Sequence, residues 1–192
     1  MTILVTLHAL EGADARQRSL ATRSAAALQE AVNDPEFERR VGAAPYKATM
    51  FSDGDRNWAV PPSEIYAYIR SGAERGTAPD GEIDLAVRLA DLPEGVVGET
   101  TPGKLPFRTA RWFLDGCVED GDVVSPACHF IHEWLHVAGF YHSPDNKARG
   151  DVSYLVGDIV RDLLRARGHR MSARMARLLE EAGCGAKIGD TG

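Results

Sequence analysis

The sequence predicts an α+β fold in one domain, and three observations carry that expectation. Apolar residues alternate at Ile3, Val5 and Leu7 and again at Ile83, Leu85, Val87 and Leu89, as they do in half-buried strands. A helical pattern starts at Asp14, directly after the first strand. Further helical patterns crowd the C-terminal third, where no strand pattern follows them. The 192 residues suffice for one sizeable core, and neither an internal repeat nor a linker divides them.

Taken in order, the first strand runs through Ile3, Val5 and Leu7. The helix after it has Asp14 as N-cap, Leu20, Ala27, Leu28 and Ala31 on one side, and Asn33-Asp34-Pro35 as its stop. Tyr46 to Phe51 reads as a second strand, and Pro61-Pro62-Ser63 starts a short helix that ends near Gly72. Ile83 to Leu89 forms a third strand. Between Val96 and Leu114 two extended stretches flank Pro102-Gly103, as in an irregular hairpin at a sheet edge. Ser125 as N-cap, Pro126 at the first helical position and Gly139 as terminator frame a helix of about four turns. Ile159, Val160, Leu163 and Leu164 mark another helix closed by Gly168. A last one carries Met171, Met175, Leu178, Leu179 and Ala182 on one stripe.

Charge and composition narrow the function. A net charge of −6 opposes a general nucleic-acid role, which needs clustered Lys and Arg, and the basic residues from Arg161 to Arg177 fall between apolar helical positions. No stretch approaches the ~20 apolar residues of a membrane span, and Met1 to His8 lacks the basic start of a signal peptide. Cys117, Cys128 and Cys184 form no close pair, which fits reduced thiols. Together these features predict a cytoplasmic protein with neither a nucleic-acid nor a membrane partner.

The chemistry concentrates in His132-Glu133-Trp134-Leu135-His136-Val137-Ala138-Gly139-Phe140-Tyr141-His142. Histidines four apart on a helix lie one turn, about 5.4 Å, apart on the same face, so His132 and His136 can bind one ion. A continuing helix would carry His142 about 15 Å from His132. Gly139 can enter the left-handed region and turn the chain back, which lets His142 complete a three-nitrogen site. Three protein ligands leave a fourth tetrahedral position for water, the layout of catalytic zinc. Glu133, next to the first ligand, is the natural general base for that water.

These residues resemble the metzincin clan of zinc metallopeptidases, whose motif is H-E-x-x-H-x-x-G-x-x-H, and all five fixed positions match. The element order before the motif is similar as well. The resemblance implies a mixed twisted sheet with helices, an active-site helix across a cleft, an upper lobe over residues 1–139 and a small helical lower lobe over 140–192. It also implies an extended peptide or protein substrate lying along an edge strand within Val96 to Thr109. The family's methionine-containing turn has no counterpart between His142 and Met171, since Met171 and Met175 read as core. Asp151-Val152-Ser153-Tyr154-Leu155-Val156-Gly157 stands in the position of that turn. Tyr154 is similar in place to a family tyrosine that reaches the zinc site, and is a candidate for stabilising an oxyanion.

Other features weigh less. His129, three residues before His132, suits a supporting role better than that of a fourth ligand, which would close the site. Cys128 reads as a buried thiol. Asp145 is placed either to orient a ligand imidazole or to cap the loop after Ser143-Pro144. Asp53, Asp55, Asn57 and Glu64 mimic a calcium loop, but Trp58 replaces its glycine and Pro61-Pro62 interrupts it, which speaks against calcium. Trp58, Pro61 and Tyr66 read as a packed loop, with a cleft wall as the alternative. The sequence thus predicts a one-zinc peptidase. The rival readings are a zinc amide hydrolase for a small metabolite or dedicated precursor peptide, and a non-catalytic, zinc-stabilised peptide-binding module.

Overall fold

The structure is a computed structural model that describes residues 2–143 and 150–182. Among them the elements run β1 (Leu4–Glu11), α1 (Ala15–Val32), α2 (Pro35–Ala43), β2 (Met50–Ser52), β3 (Asn57–Ala59), α3 (Pro62–Ser71), β4 (Glu82–Ala90), β5 (Gly98–Glu99), β6 (Phe107–Ala110), α4 (Arg111–Asp120), α5 (Val124–Ala138), α6 (Val152–Ala166) and α7 (Ala173–Ala182). The fold is α+β. A four-stranded mixed sheet has the order β1-β4-β6-β5, with β1, β4 and β6 parallel and β5 antiparallel to β6, and β2 pairs with β3 in a second, antiparallel sheet. No helix among the described residues is long and apolar enough to cross a membrane.

Local chemistry accounts for most boundaries. Asp14 caps α1 by accepting from the Gln17 amide at 2.8 Å while the Gln17 side chain returns to the Asp14 amide, a reciprocal capping box. Asn33-Asp34-Pro35 does stop α1, but it also starts α2: Asp34 accepts from the Glu36 amide, and Pro35 occupies the first turn, where a missing N–H costs nothing. The stretch from Tyr46 forms a strand only from Met50, with an isolated bridge at Ala48. The hairpin across Val96 to Leu114 is present as β5 and β6, but its extended chain ends at Ala110, where α4 begins. Asp53 accepts from the amides of Asp55 and Arg56, which makes it the turn residue between β2 and β3.

Helix α5 is central: all fifteen of its residues are buried, and it packs on α1, α4, α6, α7 and strands β4, β5 and β6. A helix apolar on every side belongs in the middle of a core, and α5 departs from that rule at His129, His132, Glu133 and His136. Its cap differs from the expected Ser125. The buried Asp122 accepts from the amides of Val124 and Ser125 at 2.9 Å each and from the Ser125 hydroxyl at 2.7 Å. Ser125 therefore lies one residue inside the helix, and its hydroxyl serves the cap that holds the preceding residues.

Helix α6 packs against α5, α1 and α2, and its Val156, Ile159, Val160, Leu163 and Leu164 join the same apolar core as α1 and the sheet. Val152 to Gly157 forms the first turns of α6, where a turn in place of the methionine-containing one was expected. Met175 is buried in the core and Met171 packs on its margin. Cys117 and Cys128 are both buried. Asp145 and Cys184 lie outside the described residues.

Candidate metal centre

The three histidines of the motif converge. His132, His136 and His142 each offer a ring nitrogen, and these atoms lie within 4.8 Å of one another. Nε2 of His132 and Nε2 of His136 stand 3.1 Å apart, close to the ~3.4 Å edge of a tetrahedron whose metal–nitrogen bonds are about 2.0–2.1 Å. The ring centroids of His142 lie 4.5 Å from His136 and 5.3 Å from His132.

The turn at Gly139 makes this possible. Its φ of 126° suits glycine. A Cβ there would fall 2.6 Å from the Ser52 carbonyl oxygen and 2.9 Å from the Phe51 ring, so a side chain is excluded by contact as well. The amides of Gly139 and Phe140 both return to the Leu135 carbonyl, at 3.1 and 2.9 Å, which closes the helix in a Schellman-like turn. The chain then pairs with β2: Ser52 donates to Gly139 O, Tyr141 donates to Met50 O, and Phe51 bridges Phe140. Phe51, Trp58, Tyr68 and Phe140 form an aromatic cluster behind this crossing. Trp58 thus belongs to packing.

Two hydrogen bonds set the histidine tautomers. His136 donates from Nδ1 to the Phe140 carbonyl at 2.8 Å, and His142 donates from Nδ1 to Asp151, so each leaves Nε2 as a lone pair. Asp151 also accepts from the Tyr154 amide as the N-cap of α6. One carboxylate therefore starts a helix and orients the His142 ring. Nε2 of His142 and Nδ1 of His132 are buried without a hydrogen-bond partner, although the Ser153 backbone approaches the His132 ring. Burial holds His136 down to about 4 and His132 well below the usual imidazole range, the latter helped by the neighbouring imidazoles, so both rings are neutral as metal ligands must be. An orphaned buried nitrogen facing two neutral imidazoles fits a soft-to-borderline divalent cation such as zinc.

Glu133 is 1% exposed. Its Oε2 accepts from the Thr100 hydroxyl, and its Oε1 lies 3.5 Å from His129 Nδ1. Burial pushes its carboxyl up to about 8, against the pull of the Thr100 hydrogen bond. Tyr154, on α6, places its ring 5.0 Å from His132 and stacks it on His142 at 4.9 Å. His129 stays out of the metal-ligand group. It is buried, and its Nε2 shares a 2.9 Å hydrogen bond with Thr109 Oγ1. His8, Glu82 and Asp84 also cluster, on the face shared by β1 and β4, where His8 and Asp84 already pair at 2.7 Å.

Three residues around the candidate site, Asp151, Thr100 and Thr109, are not singled out by the sequence. Asp151 was visible only as a residue of the expected turn, because spacing does not tell which carboxylate returns to which imidazole. Thr100 and Thr109 carry no motif at all. Compared with family models, curated proteins and solved structures, the chain matches none.

Proposed function

We propose that this protein is a zinc-dependent hydrolase of the metallopeptidase kind, acting on peptide or protein substrates. The observation that carries the reading is the convergence of three imidazoles, two of them held at Nδ1 by a hydrogen bond, beside a buried glutamate. His132, His136 and His142 would hold the ion. When bound, such an ion supplies a Lewis acid that polarises a carbonyl and acidifies a water.

The chain's own residues supply the rest. Glu133 takes the proton of the attacking water and hands it to the leaving amine. Desolvation makes its carboxyl a stronger proton acceptor than an ordinary glutamate, while a neighbouring cation acts in the opposite sense. Asp151 holds His142, and the Phe140 carbonyl holds His136, so the ligand set is pre-oriented. Tyr154, stacked against His142, is the group proposed to stabilise the developing oxyanion. Strand β5 is the edge of the sheet and passes beside Glu133, which supports an extended peptide added along it.

One observation favours a narrower substrate. Glu133 and His136 are each 1% exposed and His132 is fully buried, an enclosure suited to an amide in a small metabolite or in a dedicated precursor peptide.

The test compares zinc-loaded wild type with Glu133→Gln on a broad peptide library. The reading predicts cleavage by the wild type and a loss of about 10²-fold or more in the variant, with zinc retained. Undiminished cleavage by the variant would refute the general-base role. Tight peptide binding without cleavage by the wild type would instead indicate a non-catalytic binding module.

A further inference from the structure

We propose that Thr100 and His129 are positioning residues for Glu133, each engaging a different oxygen of its carboxylate so that the side chain is held in one orientation. The inference rests on the reading of Glu133 as the proton acceptor of the reaction.

The geometry begins with a close approach of the edge strand. Gly98 lies against the helix so tightly that a Cβ would fall 2.3 Å from His129 Cε1 and 2.8 Å from Glu133 Oε1. Because β5 can lie this close, the next residue but one, Thr100, reaches Glu133 with its hydroxyl and donates to Oε2. The segment beyond Thr100 is itself tied down. Gly103 donates to the His136 carbonyl at 3.3 Å, and the Arg75 guanidinium donates to the Pro102 carbonyl at 2.9 Å. Arg75 also donates its amide to the Val137 carbonyl at 3.0 Å. The donor to Glu133 therefore sits on backbone anchored to the same helix.

The second oxygen is met from within α5. His129 precedes Glu133 by one turn, and its Nδ1 stands 3.5 Å from Oε1. Its ring is fixed by the edges of Phe107 and Phe113, at 6.1 and 5.4 Å between centroids, and by Thr109 at Nε2. Burial holds this imidazole down to about 3, so it is neutral and carries a single N–H. An acceptor oxygen facing Nδ1 favours the proton there, and the Thr109 hydroxyl then donates to Nε2. Thr109 thus orients the His129 ring, whose Nδ1 faces Glu133 Oε1 at 3.5 Å, while Thr100 donates to Oε2 from just beyond β5. A glutamate without these partners would be a buried carboxylate free to rotate.

The test uses the zinc-loaded full chain and two readouts. In ¹⁵N NMR of the imidazoles, His129 is expected as the Nδ1–H tautomer, with its signals shifting in Glu133→Gln. On the peptide library, Thr100→Val and His129→Gln are each expected to lower kcat by about tenfold or more with KM and zinc affinity unchanged, and Thr100→Ser to restore kcat. A His129 found as the Nε2–H tautomer would overturn the proposal. So would full kcat in both variants while Glu133→Gln is inactive, or a kcat loss matched by an equal loss of zinc affinity. Should Glu133→Gln itself remain active, the general-base reading fails, and the tautomer alone then decides whether the grip on Glu133 exists.

Discussion

Asp151 joins two tasks that can be separated by experiment. Its carboxylate receives the His142 Nδ1–H and the Tyr154 amide. Asn caps helices nearly as well as Asp but brings no charge to the imidazole. Asp151→Asn is therefore expected to weaken zinc binding by about 10- to 100-fold while the thermal midpoint of the metal-free protein barely moves. Competition with a chromophoric chelator measures the first, and a thermal melt the second. Equal affinity in the variant would remove Asp151 from the centre. Glu133 gives a second residue-scale expectation. Its folded pKa of about 8 stands above its ordinary 4.5, so the stability it contributes is complete below pH 4.5 and is lost as pH rises through 8. Metal-free Glu133→Gln should accordingly gain on wild type across that window, by roughly a few kcal/mol at its upper end, in urea melts at stepped pH. His129 and His136 act in the reverse direction, since their depressed pKa values cost stability as pH falls below 6.5. At this scale the three histidines that converge were legible because helical spacing and a glycine turn are geometric facts of the sequence. The partners that tune them were not, because Thr100, Thr109 and Asp151 reach the centre through tertiary approach.

At the scale of elements, the Gly139 turn does the most to make the centre. It ends α5, reverses the chain and aims the Phe140 carbonyl at His136. Gly139→Ala meets both a positive φ and the Ser52 carbonyl at 2.6 Å. It should cost about 2 kcal/mol or more and release the third ligand, so that denaturant melts and zinc affinity fall together. A variant as stable and as tightly metallated as wild type would contradict the role given to the turn. Elements with strong local signals, such as the Asp14 N-cap of α1 and the proline start of α3, could be read from sequence. Helix α2 was hidden because Asn33-Asp34-Pro35 serves as stop and start at once. Asp122 outranks Ser125 as a cap because it is buried and satisfies several donors, a property that spacing cannot reveal.

At the scale of the molecule, one core joins the sheet to α1, α5 and α6, and the histidine cluster that could hold a metal lies where α5, the β2 crossing and α6 meet. Placing the His132 and His136 imidazoles and the Glu133 carboxyl in that core, with His142 at its margin, is costly without a cation to engage them. The arrangement is a reason to expect that metal binding and stability are coupled. Zinc K-edge X-ray absorption on protein carefully purified with one equivalent of zinc tests this most directly. Three imidazole nitrogens at about 2.0–2.1 Å are expected, with at least one further oxygen that is not from the chain. Absence of bound zinc would contradict it, as would a fourth imidazole or a sulfur ligand closing the site.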